Sequence, residues 1–377
     1  MIEVQNIFRA HGVEFLTNYR PPPHVQKAAK AISNCRTAAL GGHVDKCDDC
    51  AYIRISYNSC RNRHCPKCQA MSKERWISAR SEELLPVTYF HVVFTLPSEL
   101  QGVAFQNQAV IYNLLFKASS ETIRELAADR KYLGAELGLT AILHTWGQNL
   151  MFHPHVHIIV PGGGLTADGK WANGRKKFFI PVKVMAKKFR GKFLYYLRQA
   201  KLEFKGSLGY LSDGIQFMNY ADSLYRKDWY VYCKRPFKTT SSILEYLGRY
   251  THRVAISNHR IVSLKDGQVT FRWRDYRDGG KEKMMSISAF EFIRRFLLHV
   301  LPPGFTKIRH YGFLASAVKR VKLMLCKRLT GAKLSELIYK PLSVVELMLK
   351  LTGRDITRCP CCGKQLTRAS PEFVITA

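Results

Sequence analysis

Acidic side chains are scarce in this sequence. Its 377 residues carry 28 Asp and Glu against 59 Lys and Arg, a formal net charge of +31. That imbalance points to a polyanionic partner, nucleic acid before an anionic membrane. Long apolar runs are also lacking. None approaches the roughly 18 residues that a membrane-spanning helix needs, so no membrane partner is expected. The opening residues, MIEVQNIFRAHGVEF, hold an acid at Glu3 and no continuous apolar stretch, so they do not read as a signal peptide. A phosphate-cradling Gly-x-x-x-x-Gly-Lys-Ser/Thr loop is missing, which argues against ATP-driven chemistry. Internal repeats are absent. Disorder is excluded by a hydrophobic content of 46%, enough to build real cores.

What the chain does have is cysteine, eleven in all, six of them between Cys35 and Cys68. An odd number, no signal peptide and tight Cys-x-x-Cys spacing favour metal in a reducing compartment over disulfides. Cys47-Asp-Asp-Cys50 and Cys65-Pro-Lys-Cys68, separated by fourteen residues, are expected to place four thiolates around one structural Zn2+. Cys35, His43, Cys60 and His64 are candidates for a second, interleaved Zn2+ site. A closed four-ligand site leaves no position for chemistry, so its role is folding or recognition. Arg61, Arg63 and Lys67 suggest that this module touches nucleic acid. Cys359 and Cys362 offer half of a further knuckle, short of a site unless another segment or subunit contributes. Cys233 and Cys326 read as small core residues.

The pattern divides the chain into a zinc-binding domain at 1–86, a central domain at 87–290 and a basic, mainly helical region at 291–377. VTYFHVVFTLP reads as a buried strand. A helix is expected over 109–132, then two strands in LTAILHTWGQNLMFHPHVHIIVPGGG, closed by PGGG. A basic amphipathic helix (VKVMAKKFRGKFLYYLRQAKLEF), a strand (DWYVYCKRPF) and a Ser-capped helix (SSILEYLGRYTHRVA) follow. HRIVSLKDGQVTFRWRDY reads as a hairpin around Lys-Asp-Gly. The sum is an α+β fold with a mainly antiparallel sheet.

Two constellations carry chemistry. On a strand, His155 and His157 point to one face, with Val156 behind them. Two imidazoles at that spacing suit a divalent cation, and His144 on the neighbouring strand is the expected third ligand. His153 shares the parity, although Pro154 intervenes. Tyr246 and Tyr250 lie at i and i+4 on one helix face, among Arg249, His252 and Arg253. A phenol is a weak nucleophile at neutral pH and becomes useful where a metal polarises the phosphate under attack.

These residues together resemble a known family. His155-Val156-His157 resembles the His-hydrophobe-His motif of the HUH endonucleases, and Tyr246 and Tyr250 resemble the tyrosine pair of their two-tyrosine branch. CRTAALGGHVDKCDDC and YNSCRNRHCPKCQ look like the zinc-binding domain of rolling-circle transposases of bacterial insertion sequences. YFHVVFTLP, HPHVHIIVPGGG, KRPF, YLGRYTHRVAI and RHYGFL also look like that family, so the likeness runs from about Cys35 to Leu314. It implies a central antiparallel sheet with the histidines on a middle strand, flanked by helices. It implies Mg2+ or Mn2+ at the histidines, structural Zn2+, and single-stranded DNA at element ends and target as partner. It implies nicking and joining by transesterification through a 5′-phosphotyrosine, in the bacterial cytoplasm at the nucleoid.

The basic surface fits such a partner. Lys183, Lys187, Lys188, Arg190 and Lys192, and Lys234 with Arg235, are candidates to track a DNA backbone, with Arg61, Arg63, Arg249 and Arg253. Trp146, Phe271, Trp273 and Tyr276 are candidates to stack on bases. Two other readings compete: a non-enzymatic zinc-finger DNA-binding protein, and a histidine-triad nucleotide hydrolase built on His153, His155 and His157.

Overall fold

In a computed structural model, residues 2–174, 180–237, 243, 248, 254–332 and 342–369 are described. Helix α1 (Val4–Tyr19) and helix α2 (Pro23–Asn34) are separated by the Pro21–Pro22 break. Proline at its first position suits α2, since that N–H has no helical partner anyway. Strands β1 (Gly42–Lys46) and β2 (Ile53–Tyr57) form an antiparallel hairpin. Helix α3 (Pro66–Ser81), also opened by proline, leads to β3 (Tyr89–Thr95). Next come α4 (Gln101–Gln106), α5 (Gln108–Ala128), β4 (Gly138–Trp146) and β5 (Phe152–Pro161). PGGG does not end the chain's extended path. It carries β5 into β6 (Gly163–Leu165), which pairs with β7 (Trp171–Asn173). A Cβ on Gly164 would strike the Glu136 carbonyl, so the close strand approach requires glycine there.

The basic segment forms α6 (Val182–Gln199), followed by α7 (Gly214–Tyr225) and β8 (Val231–Phe237). A meander of β9 (Ile261–Lys265), β10 (Gln268–Asp275) and β11 (Lys281–Ser288) follows. Its first turn has Asp266 and Gly267 both at positive φ, as a tight hairpin demands. The third strand was not expected from the sequence. Helix α8 (Ala289–Leu297), β12 (Ile308–Gly312), α9 (Lys319–Leu329), α10 (Val344–Thr352) and β13 (Thr367–Arg368) complete the described chain.

The central sheet has five antiparallel strands in the order β12-β4-β5-β3-β8. Its two faces differ. Val92, Phe94, Leu143, Val156 and Ile158 face one way, onto α5 and the apolar stripe Met185, Phe189, Phe193 and Leu197 of α6. Tyr89, Ile142 and Ile159 face the other way, as does the histidine set. A second core joins α1 and α2 to α8 and the meander, where Phe8 meets Phe296 edge-on at 5.3 Å. Residues from 291 onward do not stand apart. Helix α8 packs in that second core, β12 edges the central sheet, and β13 pairs with β1.

Candidate active site

The β4–β5 hairpin sets His144 directly across from His155. His157, two residues on, is turned to the same face by the strand pleat. One ring nitrogen from each of His144, His155 and His157 lies within 4.8 Å of the other two. His155 donates from Nδ1 to the His153 carbonyl at 2.6 Å, which makes Nε2 its lone-pair nitrogen. Nδ1 of His157 lies 2.8 Å from Nε2 of His91 on β3. A proton on that Nδ1, accepted by His91, leaves Nε2 of His157 as the donor toward a metal. Burial holds the His155 pKa at about 3, reinforced by His153. Burial likewise pushes His91 down to about 3, with help from the charges of Lys234 and His155. Both rings are therefore neutral at physiological pH, as metal ligation and its support require.

The three described donors fit a divalent cation. Of Mg2+ and Mn2+, the second is the better match, because Mg2+ seeks oxygen while first-row transition ions accept imidazole. His91 was missed in the sequence. Its signal was a polar residue inside the apolar strand Phe90–Phe94, which pairs along β5. His153 offers the cluster its carbonyl and no ring nitrogen, unlike a histidine triad. Trp146 stacks on His144 with ring centroids 4.6 Å apart, which fixes the plane of that imidazole.

Tyr246, Tyr250, Arg249 and Arg253 lie outside the described residues, and so does the side chain of Arg235. Two neighbours of the tyrosines are described. Ile243 is helical and buried among Tyr89, Ile142 and Ile159 on the histidine face, a cluster that Trp76 of α3 joins. Gly248 is helical and buried as well, and a Cβ there would run into Ile77 and Lys73 of α3.

The thiols divide differently from the expected partition. Cys35, Cys60, Cys65 and Cys68 form one cluster, with Sγ separations of 3.6 Å for Cys35–Cys68 and Cys60–Cys68. Cys47 and Cys50 are not in it. They cluster with Cys359 and Cys362. The reason is the β1–β2 hairpin. Cys35 and Cys60 flank its open end and Cys47 and Cys50 its turn, so a strand of roughly 16 Å separates them. Cys65 caps α3 and Cys68 follows one turn later, on the same side as Cys60. The two expected histidine ligands are engaged elsewhere. His43 lies 3.6 Å from Asp45, and Nε2 of His64 accepts from the Leu301 N–H at 3.4 Å.

Residues 138–322, which hold the histidine hairpin, match the family Y2_Tnp, described as "Putative transposase". Residues 7–96 match Zn_Tnp_IS91, "Transposase zinc-binding domain". Over 376 residues the chain is 47% identical to "Putative transposase y4qJ" of Sinorhizobium fredii, spanning 97% of this chain and 94% of that protein. The chain belongs to this transposase family. It is also 25% identical over 356 residues to "Transposase for insertion sequence element IS801" of Pseudomonas savastanoi pv. phaseolicola, spanning 91% of this chain and 82% of that one.

The transposase distributes its basic residues in a way the sequence did not suggest. Helix α6 covers the sheet face opposite the histidines, so Lys187, Lys188 and Arg190 do not line the candidate site. Lys188 pairs with Glu125 at 2.9 Å, and Arg190 donates to the Lys227 carbonyl at 2.7 Å over the Tyr225 ring. Arg63 donates to the carbonyls of Phe305 and Pro302, so it ties the thiol-rich module to the segment that leads into β12. Arg61 is exposed. Lys234 sits opposite His91 on β8, on the histidine face. Beside Gly248 opens a groove of about 920 Å3, lined by Lys73, His259, Arg272, Trp273, Arg274 and Tyr276 among others. Among the four aromatic candidates, Phe271 is fully buried and Tyr276 is 71% exposed at this groove.

Proposed function

We propose that the transposase nicks and joins single-stranded DNA by metal-dependent transesterification, with Tyr246 and Tyr250 as nucleophiles. One observation carries this reading. Three convergent histidines sit on the sheet face that also receives Ile243, from the segment bearing both tyrosines. His144, His155 and His157 would hold Mn2+ or Mg2+. When bound, the cation withdraws charge from the scissile phosphate. The tyrosine oxygen forms a bond to phosphorus, the bond to the 3′ oxygen breaks, and the phenol proton ends on the released 3′-OH. The 5′-phosphotyrosine keeps the phosphodiester bond energy, so a 3′-OH can reverse the step and release the tyrosine without ATP. Lys234, opposite His91 on β8, would meet phosphate on the histidine face. The groove beside Gly248, with Arg272 and Arg274 on the open side of β10 and Tyr276 at its rim, offers charge and a stacking ring for an unpaired strand.

The test is a covalent-adduct assay with Mn2+ and labelled single-stranded element ends on a denaturing gel. We expect a metal-dependent protein–DNA band that Tyr246→Phe/Tyr250→Phe abolishes and His155→Ala abolishes. DNA binding without any adduct from any end sequence would overturn the nuclease and favour a binding protein.

A further inference from the structure

We propose that Cys47, Cys50, Cys359 and Cys362 form a second structural Zn2+ site, a zinc ribbon split between two distant parts of the sequence. Its halves are 315 residues apart at Cys47 and Cys362. Half of its ligands lie beyond the matched zinc-binding domain at residues 7–96.

Four observations build the site. The Sγ atoms of Cys47 and Cys362 are 3.4 Å apart and those of Cys50 and Cys359 are 3.5 Å apart. A tetrahedron of thiolates at the usual Zn–S length of about 2.3 Å has edges of about 3.8 Å, whereas a disulfide is about 2.05 Å. Next, the two Cys-x-x-Cys turns have the same backbone. In one, Cys47 N–H donates to the Tyr52 carbonyl at 2.8 Å and Ala51 N–H donates back to the Cys47 carbonyl at 3.0 Å. In the other, Cys359 N–H donates to the Lys364 carbonyl at 2.7 Å and Gly363 N–H to the Cys359 carbonyl at 3.0 Å. The residue after each second cysteine, Ala51 or Gly363, has a left-handed backbone, with φ of 56° and 75°. Two matched knuckles thus face each other, each presenting its sulfurs to one point.

The third observation is that β13 aligns the knuckles by pairing with β1, Asp45 opposite Arg368 and Lys46 opposite Thr367. Asp45 accepts from Arg54 at 2.7 Å and from Arg368 at 3.0 Å, and Thr367 donates to Asp48 at 3.0 Å. Last, Leu366 is buried with Cys47 and Cys359 in a small cluster of its own. That cluster is too small to hold the segments together, which is the circumstance in which small domains recruit a metal. Cys361 is exposed and stays outside the thiol set.

The site fastens the C-terminal segment to the zinc module, where α10 also meets α3 through Lys350 and Glu74 at 3.4 Å. Metal content of the purified full chain tests this. We expect two Zn2+ per chain, with X-ray absorption showing four sulfur neighbours on each. The partition expected from the sequence would give an average of about three sulfurs and one nitrogen. Cys359→Ser/Cys362→Ser should drop the content to one Zn2+ and leave the near-ultraviolet circular dichroism of the central domain unchanged. Should that variant misfold, sulfur-only coordination of two ions without the cysteine changes still supports the site. With His155→Ala as the background in every sample, so that the histidine site adds neither Zn2+ nor nitrogen, a single Zn2+ without the cysteine changes, nitrogen in the average shell, two Zn2+ retained by the double variant, or Cys47 found disulfide-linked to Cys362 would each overturn it.

Discussion

Replacing His91 by Phe keeps a flat ring in β3 and removes the nitrogen that meets His157 at 2.8 Å. Such supporting partners typically change metal affinity about 10–100-fold. The Mn2+ concentration for half-maximal adduct formation should rise by about that factor, with kcat at saturating Mn2+ nearly unchanged. An equal loss at all Mn2+ concentrations would make His91 a merely structural residue. Gly248 permits a second test. Gly248→Ala puts a methyl group against Ile77, and overpacking of this kind costs about 1–3 kcal/mol. Adduct yield should fall, and Ile77→Val, which removes the offending Cδ1, should restore part of it. His144, His155 and His157 were legible in the sequence because strand parity is a strict period of two. His91 was not, because its role depends on which strand lies next to β5, and parity is silent about neighbours. The division of the cysteines was hidden for a related reason. Spacing reveals that Cys47–Cys50 and Cys65–Cys68 are knuckles, and says nothing of the hairpin that carries them apart.

At the scale of elements, α6 was legible as an amphipathic helix and misleading as a surface. Its apolar stripe does what periodicity implies, burying Met185, Phe189, Phe193 and Leu197. Its Lys188 and Lys192 are drawn to Glu121 and Glu125 of α5 on the face away from the histidines. Charge alone cannot tell a solvated back from a binding front. The meander is the opposite case, since β11 lay unnoticed while the open side of β10 presents Arg272 and Arg274 to the groove. Arg272→Gln/Arg274→Gln should weaken single-stranded DNA binding and reduce the slope of log K against log salt by about 0.7 per lost phosphate contact. Lys187→Gln/Lys188→Gln should leave that slope where it was. Equal slopes in both variants would remove the groove from the DNA path.

Across the whole molecule, buried histidines make acid a threat to stability. His299 is held at about 4 by burial, with its two nitrogens beside Thr145 at 3.2 Å and the Leu150 carbonyl at 3.0 Å. His310 is also lowered to about 4, by burial and then the charges of Arg80 and Lys319. The unfolded chain takes up these protons near pH 6.5, and the folded chain only near 4. Stability is therefore fully present above pH 6.5 and is lost as pH falls from 6.5 toward 4. At pH 5.5 the loss is about 1 kcal/mol for His299. Urea midpoints at pH 7.5 and 5.5 should differ accordingly, and His299→Gln should shrink the difference. The architecture at this scale was legible in part. Alternating strand and helix patterns gave the antiparallel sheet and its helices. The return of β13 to β1 was not readable, because a two-residue strand has no pattern and its partner lies far away in the chain. That return also has a bearing on biosynthesis. Arg368 emerges 323 residues after Asp45, which at about 5–20 residues per second is roughly 15–65 s later. Through that interval the outer edge of β1 is an open strand on a nascent chain, and crowded ribosomes translating one message would bring many such edges together.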